Sequence, residues 1–371
     1  MKTQKFLTVS LTIFLALILV ATPALMAQKK EEKKQEKKDV IIIPKEVKTI
    51  FQEGMVNQQP RLDIPFHFVD YYYLPARENV HSIFLFSIKN ADLGYAPLAT
   101  ATPGEAAEQK QAEQAQESAF EATPAKLVAQ GHIFLQFNKV VNDQPGELVK
   151  EVYIPFNIEI DGNEYNPDEE AIYSTGYPLP PGDYLLSMAI CSPKLEKIGT
   201  QYFPFTLPNP AGFSEQLETT PIFFSHKIER MAAPETRAEV HRGFFTYSVL
   251  RIEPNVEKAF KPGDNLDIFF YIFGARPNPE GKFDIEVNYE VIQNDKPVIR
   301  YAKANYDFPI VSQPLPMKKT VLIKTTKGEE TTERKEQRDL EAGDYTLVIT
   351  INDKVGNKTL EKRVDFKVIQ P

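Results

Sequence analysis

Through most of this chain apolar residues recur at every second position, with small or polar residues between them. Tyr184, Leu186, Met188 and Ile190 form one such series, and Tyr345, Leu347, Ile349 and Ile351 form another. A period of two puts each series on one side of a strand, so both predict strands with a buried face. The runs that follow, Phe203-x-Phe205-x-Leu207 and Val364-x-Phe366-x-Val368, predict a partner strand in each case. Turn formers separate the members of each pair: Ser192-Pro193 in the first, Asn352-Asp353 and Gly356-Asn357 in the second. These are two copies of one segment, 178–207 and 339–368, lying 161 residues apart without a gap. Leu179, Gly182, Asp183, Tyr184, Leu186 and Ile190 recur as Leu340, Gly343, Asp344, Tyr345, Leu347 and Ile351. Each copy therefore ends in an antiparallel hairpin.

The correspondence continues upstream at an offset near 152. Asn142-Asp143-Gln144-Pro145 follows an apolar stretch at 133–141, and Asn294-Asp295-Lys296-Pro297 follows one at 285–292. Asn and Asp tolerate positive φ, so each pair predicts a tight turn between strands. Pro155, Pro204 and Pro309 fall within or beside strand-like runs. Proline cannot donate to a ladder, which places those strands at sheet edges or at bulges.

Leu-x-x-Gly-Asp-Tyr-x-Leu, followed by alternating apolar residues, a turn and a last aromatic strand, resembles the closing hairpin of bacterial immunoglobulin-like modules of the polycystic-kidney-disease and fibronectin types. The resemblance covers about the last thirty residues of each copy and implies a fold rather than an activity. It also implies a tyrosine corner at Tyr184 and Tyr345, with the hydroxyl bonded back to the upstream backbone. The inter-sheet Cys pair and core Trp of antibody-type domains are missing, as the chain has one Cys and no Trp. The expected architecture is all-β: two tandem Ig-like antiparallel β-sandwich domains at 60–208 and 244–371. A linker and the strand leading into the second domain occupy 209–243.

Composition adds detail at the N-terminus and inside the first module. Lys2 and Lys5, then an apolar run at 6–20, Pro23 and Ala27 read as a signal peptide over 1–27. The chain then belongs outside the cytoplasm, periplasmic or extracellular, with no transmembrane segment in the mature form. A charged tether is expected over 28–59, since 29–39 carries six Lys against three Glu and one Asp. An Ala/Gln/Glu-rich stretch at about 96–125 interrupts the first module as a helical or disordered insertion. The net charge of −8 becomes −10 once Lys2 and Lys5 are removed, which disfavours nucleic acid as a partner.

Candidate chemistry is sparse. There is no His-Glu-x-x-His, no Gly-x-Ser-x-Gly, and no phosphate- or dinucleotide-binding glycine pattern. His67, His81, His132, His226 and His241 show no metal-ligand spacing. Asp161, Asn163, Glu164, Asp168, Glu169 and Glu170 supply oxygen without the central Gly of an EF-hand, and read as a solvated loop. Cys191 closes a core strand as a small buried residue. No catalytic, cofactor or metal site is assigned. Tyr71, Tyr72 and Tyr73 form the one candidate binding feature: three consecutive strand aromatics must alternate, so one ring faces a partner or a covering domain. The sequence is thus read as a non-catalytic exported module that binds a protein or an envelope surface component. A repeating structural subunit of a surface assembly is the alternative, and an enzyme built on scattered carboxylates a third reading.

Overall fold

Both Asn-Asp pairs turn the chain as their chemistry dictates. Asn142 and Asp143 have φ of 53° and 60°, and Asn294 and Asp295 have 50° and 60°, so both central residues of each turn are left-handed. The computed structural model that shows this describes residues 43–98, 126–327 and 330–370. The expected signal peptide, the Lys/Glu tract and nearly all of the 96–125 insertion lie outside the described residues.

The first sandwich is built from β1 (His67–Ala76), β2 (Asn79–Lys89), β3 (Leu127–Val141), β4 (Gln144–Ile160), β5 (Glu170–Leu179), β6 (Gly182–Cys191) and β7 (Ile198–Leu207). One sheet runs β1-β2-β5 and the other β4-β3-β6-β7. Alternate residues of the two sheets meet in a core that includes Phe84, Phe86, Phe137, Tyr173, Tyr184 and Phe205. Pro155 lies on β4 and Pro204 on β7, the two edges of the second sheet, where a missing N–H costs no ladder bond.

The second sandwich repeats the plan with β8 (Phe223–Arg230), β9 (Leu250–Pro254), β10 (Asn265–Phe273), β11 (Ile285–Gln293), β12 (Lys296–Arg300) and β13 (Ile310–Pro316). After these come β14 (Lys318–Lys327), β15 (Glu330–Asp339), β16 (Gly343–Asp353) and β17 (Lys358–Val368). Its sheets run β9-β8-β10-β13, extended past β9 by Phe245–Tyr247, and β17-β16-β11-β12. The 161-residue offset survives in the register: Tyr184 faces Phe205 across β6 and β7 as Tyr345 faces Phe366 across β16 and β17. Both tyrosine corners form. The Tyr184 hydroxyl donates to the Pro180 carbonyl at 2.7 Å, and that of Tyr345 to the Glu341 carbonyl at 2.8 Å. The fold is all-β, and its main sheets are antiparallel except where Ala259–Phe260 adds in parallel beside β17.

Three features depart from the sequence reading. Within the expected tether, Lys45–Met55 forms a helix, α1, with Val47, Phe51 and Met55 buried. It lies against β6 and β7, where Tyr202 donates its hydroxyl to the Ile50 carbonyl at 3.2 Å, and Lys48 bridges to Glu151 of β4 at 2.8 Å. Leu185, Ser187, Ala189 and Cys191, which face away from the sandwich core, are consequently buried too. The strand that leads into the second domain is β8, in the interior of its sheet, and the departure within 209–243 is that His241–Arg242 returns to pair with β5 of the first sandwich. The β14–β15 pair, which the repeat did not foreshadow, is a sheet of its own.

The two sandwiches share an apolar seam. Tyr72, Leu74, Ile83 and Leu85 on the outer face of the first pack against Phe223, Phe245, Ile252 and Phe269 of the second. Burial on both faces explains the continuous apolar run Ile83-Phe84-Leu85-Phe86 in β2, where alternation gives way.

Candidate functional site

Where the seam opens, a cleft of about 980 Å³ lies between the outer face of the first sandwich and residues 234–239 and 245–248. The ends of β1, β2 and β5 form one wall. On the other side the chain leaves β8, wraps outward and pairs with β5 through His241–Arg242 before reaching β9, so the cleft exists because the β8–β9 connection of the second sandwich crosses back to the first one. Gly176 belongs to the wall for a steric reason: a Cβ there would stand 2.4 Å from the Ser82 carbonyl oxygen.

The polar groups of the cleft concentrate at one end. His241 Nε2 and Glu235 Oε2 are 3.1 Å apart, and the Thr246 hydroxyl donates to the same Glu235 oxygen at 2.7 Å. The His241 ring stacks on Phe244 with centroids 4.5 Å apart, which fixes its plane. The Glu239 carboxylate completes a group with Glu235 and His241 in which all three candidate ligand atoms lie within 4.8 Å of one another. The histidine spacing gives no hint of this group, because the partners of His241 are carboxylates and not other histidines. The signal was local: Glu-x-x-x-Glu-x-His over 235–241, in a segment with too little apolar character for a core strand.

His81 projects from β2 into the same cleft. Burial drives its pKa down to about 4, against a smaller upward pull from Glu235. The folded state thus binds fewer protons here than the unfolded chain between that value and the ordinary one near 6.5. Stability linked to His81 is fully present above pH 6.5 and declines as pH falls toward 4, by as much as about 3 kcal/mol. Urea unfolding at pH 7 and pH 4.5 is expected to show a smaller acid loss in His81→Gln than in the parent chain; equal losses would remove His81 as a cause.

Tyr71, Tyr72 and Tyr73 divide as strand geometry requires. Tyr72 is buried and stacks on Phe223 at 4.7 Å, so its ring belongs to the seam and not to a free surface. Tyr71 and Tyr73 face the other way and are half-buried, Tyr71 against Phe203 and Phe205. The oxygen-rich 161–170 segment gathers no common centre: Asp168 bridges to Lys89, Glu169 to Arg242, and Glu170 to His67. Cys191 is buried, which pushes its thiol up to about 12 and leaves it unreactive at neutral pH.

A second exposed feature is the ribbon. β14 and β15 pair over ten positions, from Lys318 opposite Asp339 to Lys327 opposite Glu330, a reach of about 33 Å. At its base Met317 and Leu340 are buried in the second sandwich core. Beyond it Leu322 is 46% exposed, and residues 333–335 and 337–339 are exposed as well. β14 carries Lys318, Lys319, Lys324 and Lys327 with no acid.

No protein-family model matches the chain, and no curated protein matches it. Among solved structures the chain is similar to Escherichia coli alpha-2-macroglobulin activated by porcine elastase, at 11% identity over 79% of this chain and 26% of that one, with a TM-score of 0.17. It is also similar to Salmonella alpha-2-macroglobulin, as the mutant Y1175G (9% identity, 82% of this chain, 16% of that one, TM-score 0.15) and as the methylamine-reacted form (8%, 84%, 17% and 0.14). The chain spans about a quarter or less of the length of those proteins. Likeness at these scores carries no functional argument. Among the described residues no helix is long and apolar enough to cross a membrane.

Proposed function

We propose that this chain is an exported, non-catalytic protein-binding module of the cell envelope. In this reading a rigid pair of sandwiches, of the polycystic-kidney-disease or fibronectin type, presents the β14–β15 ribbon to an extended acidic segment of a partner. The observation that supports it is the ribbon's isolation: two strands in a sheet of their own. A lone two-stranded ribbon is marginal in water, and an added strand is the most direct way to stabilise it. The charge pattern selects the occupant. Four lysines on β14, of which Lys319 and Lys324 are bridged to Glu341 and Glu333, repel a second copy of the same strand and favour an acidic one.

Cross-linking in the native envelope, followed by purification of the chain and mass spectrometry, tests this. A heterologous partner joined through Lys318, Lys319 or Lys324 is expected, and it should be lost when residues 319–338 are replaced by a two-residue turn. Undiminished capture by the shortened chain would sink the ribbon as the binding element. Recovery of a second copy of this chain alone would favour a structural subunit instead.

A further inference from the structure

We infer that Glu235, Glu239 and His241 form a binding site for a borderline divalent transition-metal cation, with zinc as the best fit, at the polar end of the cleft. One imidazole nitrogen and two carboxylate oxygens are an established donor set for such ions. All three atoms lie within 4.8 Å of one another, and His241 Nε2 and Glu235 Oε2 are already 3.1 Å apart. Two ligands on tetrahedral zinc stand about 3.3 Å apart, so this pair needs almost no movement. Glu239 is exposed, and its flexible side chain closes the remaining distance.

Two further features separate the group from a chance surface ion pair. Its members are oriented from outside: Thr246 donates to Glu235 at 2.7 Å, the kind of supporting bond that ligating carboxylates receive, and Phe244 holds the imidazole plane. The backbone beneath is fixed as well, since His241 pairs with Ser174 in the first sandwich while Thr246 pairs with Arg251 in the second. A cation here cross-links the returning connection at the point where His241 pairs with the first sandwich. Three protein ligands leave a fourth position, and because all three residues line the cleft that position opens into it.

Isothermal titration of the tag-free full chain with zinc chloride, and separately with calcium chloride, provides the test. One saturable zinc per chain is expected, with far weaker calcium binding. Thr246→Val should weaken zinc about tenfold by releasing Glu235. Glu239→Gln, at an exposed position, should weaken it without changing the circular dichroism spectrum, which guards against loss through misfolding. His67→Gln, on a histidine bonded elsewhere, should leave it unchanged. The inference is overturned by absent or non-saturable zinc binding, by calcium binding as tightly as zinc, or by equal affinity in Glu239→Gln and the parent chain.

Discussion

Tyr72→Ala is expected to lower the unfolding free energy by about 3–5 kcal/mol, the range for deleting a buried aromatic ring. The ring is enclosed from both sides of the seam, stacking on Phe223 at 4.7 Å with Phe245 at 6.0 Å. Its loss leaves a cavity that neither sandwich can close alone, because each supplies only one wall. The more diagnostic result is cooperativity. The parent chain should unfold in urea as one transition, and Tyr72→Ala should separate it into two as the sandwiches lose their common core. Tyr72→Phe keeps the ring and should stay close to the parent. A cost under about 1 kcal/mol with a single transition would show that the seam does not couple the two halves.

A second large effect is expected on shortening the chain to begin at residue 57, which discards the segment that composition alone marks as a tether. The loss removes α1 and with it the burial of Val47, Phe51 and Met55, worth about 5 kcal/mol together by area. It also uncovers Leu185, Ala189 and Tyr202 on the outer face of the second sheet. Thermal unfolding should show a clearly lower midpoint, with increased binding of a hydrophobic dye before the transition. An unchanged midpoint would return 45–55 to the status of a tether.

The sequence and the structure agree where short-range chemistry decides the outcome. Gly-Asp-Tyr at 182–184 and 343–345 sets two hairpins in the same register, and Asn-Asp at 142–143 and 294–295 sets two left-handed turns. What escaped depends on contacts between distant segments. Val47, Phe51 and Met55 do fall at helical spacing, but the nearby Lys/Glu tract masked that periodicity. Tyr72 was legible as a ring needing cover, whereas nothing along the chain says that its cover is Phe223, on the strand leading into the second domain. The Glu235–His241 group was hidden for a related reason. Two of its ligands are exposed, and nothing in a one-dimensional pattern says that the chain doubles back to assemble them against the first sandwich.

That doubling back has a consequence for how the molecule is made. The edge of β5 is capped by His241–Arg242, and the apolar face of Tyr72, Leu74, Ile83 and Leu85 waits for Phe223 through Phe269. Synthesis proceeds at about 5–20 residues per second, so the thirty or so residues between the end of β7, which completes the first sandwich, and the cap take roughly 2–7 s to appear. During that interval the nascent first sandwich carries an open strand edge beside an uncovered aromatic patch, the combination most prone to pairing with a neighbour. The hazard to the newborn chain is thus concentrated before the second module emerges, when holdase protection of the N-terminal half matters most.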